Sequence, residues 1–180
     1  LICDVNSHIF NYEGGGIAFN SGVQAKLVQG NEGRLSPELI EPFINGDFDW
    51  LTQTRLVCLE NTVNRAGGSY YTLAQTKVIT QLCKHYNLKL HLDGARIFNA
   101  LIGTNEKPND IGNCFDSISI CLSKGLGAPV GSLLLGDADF IKQARRVRKV
   151  FGGGMRQAGF LAAAGLYALK NNVERLKRDH

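Results

Sequence analysis

No stretch of this chain is apolar for anything near the ~20 positions that a membrane-crossing helix needs. The richest, Ala158 to Leu169, is shorter and contains two glycines. Cysteine pairing signals are missing too. Cys3, Cys58, Cys83, Cys114 and Cys121 are odd in number and never spaced Cys-x-x-Cys. Four of them lie among apolar neighbours, as buried free thiols do, so a reducing cytoplasm is the expected compartment. The spacing of His85, His91 and His180 with the cysteines makes no zinc site, and no metal is expected. Charge of one sign is scarce as well: 20 basic residues against 16 acidic leave +4, too little to imply a nucleic-acid partner. Leader segment, internal repeat and low-complexity tract are all wanting, and no membrane partner is expected.

What is present describes a folded domain. The 44% apolar and 20% charged fractions suit a globular protein, and 180 residues suffice for one domain with a real core. The chain opens on Leu1, not methionine, inside a strand-like run, and closes on Leu176-Lys177-Arg178-Asp179-His180 in helix-like sequence. Both ends read as cut, so a central piece of a longer protein is expected.

Short apolar runs alternate with helical patterns. Leu1 to Val5, Val23 to Gln29, Arg55 to Leu59, Lys89 to Leu92, Ser117 to Leu122 and Val130 to Leu135 read as strands. Gly14-Gly15-Gly16 reads as a loop, and Ser36-Pro37-Glu38 as the start of a helix kept short by Pro42. Thr72 to Tyr86 reads as a helix opened by a Thr72/Gln75 capping box, with Val78, Ile79, Leu82, Cys83 and Tyr86 on one face. A loop containing Pro108 precedes the Ser117 strand. Asp137 caps a helix from Ala138 to about Val150, and Gly152-Gly153-Gly154 separates it from a helix beginning near Met155. This alternation predicts an α/β fold: a mostly parallel sheet with helices on both faces. Ligands of such sheets gather at the carboxyl ends of the strands, and Glu60, Asp93 and Lys124 all fall at such ends.

Lys124 is a lone lysine where the run Ser117 to Leu122 breaks into glycines, and Asp93 stands thirty-one residues earlier at the end of Lys89 to Leu92. Separately, each has an ordinary reading, a solvated turn lysine and a helix cap. Together they suit pyridoxal phosphate, whose ring nitrogen needs a carboxylate to stay protonated and whose aldehyde needs a lysine to form a Schiff base.

Four blocks in order carry a family resemblance: Leu59-Glu60-Asn61-Thr62; His91-Leu92-Asp93-Gly94-Ala95-Arg96-Ile97-Phe98-Asn99-Ala100; Cys121 to Ser132; and Gly152-Gly153-Gly154-Met155-Arg156-Gln157. The chain closely resembles the low-specificity threonine aldolases over essentially its whole length. The resemblance implies residues 1–180 are the central part of a fold-type-I large domain, cut at both ends, with a C-terminal small domain beyond. It implies Lys124 as the Schiff-base lysine, Asp93 on the pyridine nitrogen, Arg96 near the phenolic oxygen and the amino acid, and Ser123 among the cofactor contacts. It implies that His8 stacks on the ring and is a candidate base, while Lys149 and Arg156 approach a neighbouring subunit's site. A β-hydroxy-α-amino acid substrate and a homotetramer follow from the same likeness, as do a phosphate-binding turn before Leu1 and a carboxylate-binding arginine after His180. Many relatives carry a histidine directly after Glu-Asn-Thr; here Val63 stands there, and valine accepts no proton.

Other readings remain open on the residues alone. A related β-eliminating lyase or aminotransferase uses the same Lys124 and Asp93. His8 also reads as a structural histidine following a strand. Lys142, Arg145, Arg146, Arg148 and Lys149 form a basic helix face over an apolar stripe of Ile141, Ala144, Val147 and Val150. A basic interaction module using Lys142 to Lys149 is the non-enzyme alternative, though no aromatic residues interleave the charges. Gly125-x-Gly127-x-x-x-Gly131 follows a strand, yet G-x-G-x-x-G requires glycine where Val130 stands.

Overall fold

The computed structural model describes residues 1–179. Its strands are β1 (Ile2–Asp4), β2 (Lys26–Val28), β3 (Leu56–Glu60), β4 (Lys89–Gly94), β5 (Ser117–Cys121) and β6 (Ser132–Gly136). They form one sheet in the order β2-β1-β3-β4-β5-β6. All pairings are parallel except the antiparallel β5–β6 edge. Parallel neighbours need crossovers, and short helices supply them. Those from β1 to β2 are α1 (His8–Asn11) and α2 (Gly16–Ser21), and α3 (Pro37–Ile40) lies between β2 and β3. The helix α4 (Leu73–His85) links β3 to β4, then α5 (Ile97–Thr104) and α6 (Pro108–Gly112) lead to β5. After β6 come α7 (Ala138–Val150) and α8 (Gly159–Asn171). The expected mostly parallel α/β architecture is the observed one.

Strands β1 and β3 are buried almost throughout, while β4 and β5 alternate. On β4 and β5 the apolar face holds Leu90, Leu92, Ile118 and Ile120, packed into the main core with Val57, Leu59 and Ile79. The opposite, half-buried face carries His91 and Asp93 on β4 beside Ser117, Ser119 and Cys121 on β5. Period-two alternation therefore sorts the polar residues onto one side of the sheet. Gly94 follows Asp93 where β4 and β5 run close: a methyl group there would lie 2.8 Å from the Ser119 carbonyl oxygen.

The capping box opens α4 as expected. Thr72 Oγ1 accepts the Gln75 N–H at 3.3 Å and Gln75 Oε1 accepts the Thr72 N–H at 3.0 Å. Its buried face, however, is Thr76, Ile79, Thr80 and Cys83, whereas Val78 and Tyr86 are exposed. The two threonines are buried at low cost because their hydroxyls donate to the carbonyls of Thr72 and Thr76, each at 2.9 Å.

Several boundaries differ from the sequence reading. The Gly14 to Gly16 stretch is a 3-10 turn, Glu13–Gly15, running into α2. Pro108 does not sit in open loop but starts α6, where its missing N–H costs nothing. The expected Val130–Leu135 strand runs instead from Ser132 to Gly136. The last helix begins at Gly159 rather than near Met155. Residues Glu174–Arg178 form a 3-10 turn that seats Leu176 in a second cluster with Leu122, Leu126, Ala128 and Ala168. They do not continue a longer helix. His180 lies outside the described residues.

Candidate active site

The carboxyl ends of β3, β4 and β5 bring three candidates to one edge. Register places Glu60 beside Asp93 and Asp93 beside Ser119. The strand ends are locked by backbone bonds: the Asn61 N–H donates to the Asp93 carbonyl at 2.9 Å, and the Arg96 N–H to the Asn61 carbonyl at 3.4 Å. Asp93 is half-buried. Burial raises its pKa above the ordinary carboxyl value, opposed by the charges of Lys124 and His8 and by the Ala95 amide.

Lys124 enters a tight turn immediately after β5. The Gly127 N–H donates to the Lys124 carbonyl at 2.9 Å, and Gly127 sits at φ +71°, a conformation that favours glycine. The turn leaves the Lys124 side chain exposed. Its amine acts electrostatically on Asp93, yet no ion pair within 4 Å joins them among the described residues. An amine and a carboxylate that feel each other without touching fit a cofactor needing one of each. The same electrostatic neighbourhood includes His8, at the start of α1, whose Nδ1 lies 3.4 Å from Glu13 Oε1. The His8 ring also lies against Tyr12, centroids 4.6 Å apart. Arg96 donates from Nη1 to Asn64 Oδ1 at 3.2 Å, and exposed Ser123 lies 3.4 Å from Cys121 Sγ.

The structure thus gathers Lys124, Asp93, His8, Arg96 and Ser123 at one end of the sheet. Lys149 and Arg156 are both exposed, Lys149 in the last turn of α7 and Arg156 beyond the glycine break. Val63 is 1% exposed, and its side chain lies against Gly33, where an added methyl group would collide with it. A cleft of about 420 Å³ lined by Leu1, Ile17, Lys26, Thr54 and Leu56 opens at the opposite, amino ends of β1 to β3 and holds none of the candidates. Sequence reasoning places Glu60 at this edge without giving it a task and passes over Asn64. The block Leu59-Glu60-Asn61-Thr62 contains Glu60, whereas Asn64 falls two residues beyond it.

The mostly parallel sheet with its antiparallel edge strand is the α/β fold of the fold-type-I class of pyridoxal-phosphate enzymes. Within it, the family model described as beta-eliminating lyase matches residues 1–180, and the chain belongs to that family. It is 44% identical over 183 residues to low-specificity L-threonine aldolase 1 of Arabidopsis thaliana, covering 100% of this chain and 51% of the relative. To the low specificity L-threonine aldolase of Escherichia coli strain K12 it is 45% identical over 175 residues, 97% of this chain and 52% of the relative. A solved structure of Leishmania major threonine aldolase superposes with a TM-score of 0.86 at 27% identity, covering 96% of this chain and 50% of that one. The chain spans about half the length of these relatives.

Proposed function

We propose that residues 1–180 are the cofactor-binding core of a pyridoxal-phosphate aldolase that cleaves L-threonine and L-allo-threonine to glycine and acetaldehyde. The observation that carries this reading is the Lys124–Asp93 arrangement: coupled charges, not in contact, at adjacent strand ends. Relatives named threonine aldolase at 44% and 45% identity support the choice of reaction over elimination or amino transfer.

Bound pyridoxal phosphate supplies an electron sink conjugated to the substrate's Cα. Lys124 would supply the amine that attaches the cofactor's aldehyde and, when free, a proton-holding group close to the substrate's Cα. Asp93 would hold the protonated ring nitrogen, and that cation would oppose the effect of burial, which raises the Asp93 pKa. In the cleavage the Cα–Cβ bond breaks, the β-hydroxyl gives up its proton as the Cβ–O bond becomes a carbonyl, and Cα regains a proton. His8, on the Asp93 side of the edge, is the candidate to take the hydroxyl proton, since Val63 cannot. Arg96 and Ser123 complete the cofactor contacts. Lys149 and Arg156, on segments without core contacts, serve the site of a neighbouring subunit in a homotetramer, located in the cytoplasm. Residues 1–180 form the central part of a large domain, and a C-terminal small domain follows.

The test is acetaldehyde release from threonine by the intact protein with saturating pyridoxal phosphate, with ammonia and keto-acid formation measured alongside. Acetaldehyde and glycine in equal amounts support the reading. Ammonia or keto acid as the main product would move the protein to an eliminating or aminotransferring reaction.

A further inference from the structure

Glu60 is a carboxylate that the chain buries without giving it a cation. It is 6% exposed, and no ion pair reaches it among the described residues. Its two oxygens are instead divided between two backbone amides. Oε2 accepts the His8 N–H at 2.8 Å and Oε1 accepts the Asn64 N–H at 2.9 Å. Each amide opens a helical turn whose preceding residue caps nothing. Ser7 makes no side-chain cap for α1, and Val63 makes none for the 3-10 turn Asn64–Ala66. One carboxylate on the end of β3 therefore does the capping for two turns from different parts of the chain, 52 residues and 4 residues away in sequence.

Each of these turns carries a site side chain or supports one. The first begins with His8 itself. The second begins with Asn64, whose Oδ1 accepts from the Arg96 guanidinium at 3.2 Å. Glu60 is also the register partner of Asp93, so two carboxylates end neighbouring strands with different tasks. The oxygens of Glu60 are filled by the chain's own amides. The Asp93 carboxylate instead feels the charges of Lys124 and His8, with the Ala95 amide beside it. Charge-assisted hydrogen bonds from amides to a carboxylate are short and strong, and burial strengthens them further by excluding water.

We infer that Glu60 is a positioning residue: by holding the His8 and Asn64 amides together, it fixes the His8 ring and the Arg96 guanidinium relative to Asp93 and Lys124. This rests on the aldolase reading for its effect on turnover, though not for its effect on the two turns. Glu60→Gln keeps the shape and loses the charge. Its amide oxygen serves one of the two N–H groups and its NH2 opposes the other. Glu60→Asp keeps the charge but is one methylene too short to reach both.

The experiment uses the intact protein with pyridoxal phosphate and combines hydrogen exchange read by mass spectrometry, thermal melting, and kcat and KM for threonine at saturating cofactor. For Glu60→Gln, exchange rises together in peptides covering His8–Asn11 and Asn64–Ala66, while β3 and β4 stay protected. In the same variant kcat falls by about 10- to 100-fold, the scale expected when reacting groups are displaced by around 1 Å. Glu60→Asp falls between wild type and Glu60→Gln on both readouts. Exchange unchanged in either peptide overturns the inference, as does kcat within twofold of wild type. It is equally overturned if exchange rises throughout the molecule while kcat per bound cofactor is unchanged, since Glu60 then only stabilises the fold. Should Glu60→Gln not fold, Glu60→Asp decides by the same two criteria. A wild-type protein that releases no acetaldehyde refutes the aldolase reading and leaves the exchange result to decide whether Glu60 couples the two turns.

Discussion

Helices α4 and α7 are both thirteen residues long, and both are capped by a side chain. Thr72 does this for α4, and Asp137, accepting the Phe140 N–H at 2.8 Å, does it for α7. Their fates differ. Four residues of α4 are buried against the sheet, and none of α7 is. The apolar stripe of α7 includes Val147 at 52% and Val150 at 81% exposure. The neighbouring edge strand β6 is exposed along its whole length. Caps and periodicity are local properties and are met equally in both helices; burial needs a partner surface, which the described residues supply for α4 and not for α7. The candidate residues divide along a similar line. Asp93, His8 and Arg96 are half-buried at the strand ends, and exposed Lys124 acts electrostatically on Asp93, whereas Lys149 and Arg156 are exposed on and after α7.

The largest expected effect breaks that comparison at its two lysines. Lys124→Ala abolishes threonine cleavage, while Lys149→Ala leaves the cofactor covalently attached, both read by assay and visible absorption of the intact protein. Equal loss of attachment in both would erase the distinction between the halves.

Asp93→Asn comes next, with a fall in kcat on the order of 100-fold from losing a charge aimed at the reacting system. Stability moves the other way. A carboxyl whose folded pKa is raised contributes stability below its ordinary value of 3.8 and loses it as pH rises through the folded pKa. At neutral pH the cofactor-free Asp93→Asn protein therefore melts higher than wild type, and the gain fades below about pH 4. A rate within twofold of wild type, or a lower melting point, would make Asp93 a simple cap.

Ile79→Ala on α4 and Val147→Ala on α7 compare the helices directly. The first opens a cavity at a fully buried site and costs about 2–5 kcal/mol. The second costs under about 0.5 kcal/mol in the free chain. Denaturant melts check both, and similar costs would mean that α7 is packed after all. A cost for Val147→Ala appearing only in the oligomer would identify the neighbouring subunit as its partner.

The smallest effect concerns His91 on the packed side. Burial lowers its pKa below the ordinary 6.5, so its contribution is present above that value and lost as pH falls through the folded pKa. Its Nδ1 lies 2.7 Å from Ser117 Oγ. Melting points should drop as pH falls below about 6.5, and less steeply in His91→Asn. Parallel slopes would remove His91 from the account.

Much of the candidate site was legible because its residues interrupt strong local patterns. Lys124 and Asp93 each end an apolar run, and a parallel sheet brings such ends together. The fold class followed from the same alternation. Of the short helices, α3 was legible from its Ser36-Pro37 start, but α2, with six residues, and α6, with five, were not, since each is under two full turns of a pattern. The buried face of α4 was legible in part: Ile79 and Cys83 are on it and Leu82 packs against the core, but Thr76 and Thr80 count as polar until their hydroxyls are seen donating to the helix's own carbonyls. Glu60 was legible as a strand end and illegible as an anchor, since its bond to the His8 amide spans 52 residues. No local pattern records such a distance.

The central claim is that Lys124, facing Asp93, is the amine that holds pyridoxal phosphate. Its most direct test is borohydride reduction of the intact protein with the cofactor, followed by peptide mapping. The account predicts one phosphopyridoxyl adduct, on the peptide containing Ser123-Lys124-Gly125, and none in Lys124→Ala. An adduct on any other lysine, or no adduct from a protein that still cleaves threonine, would contradict it.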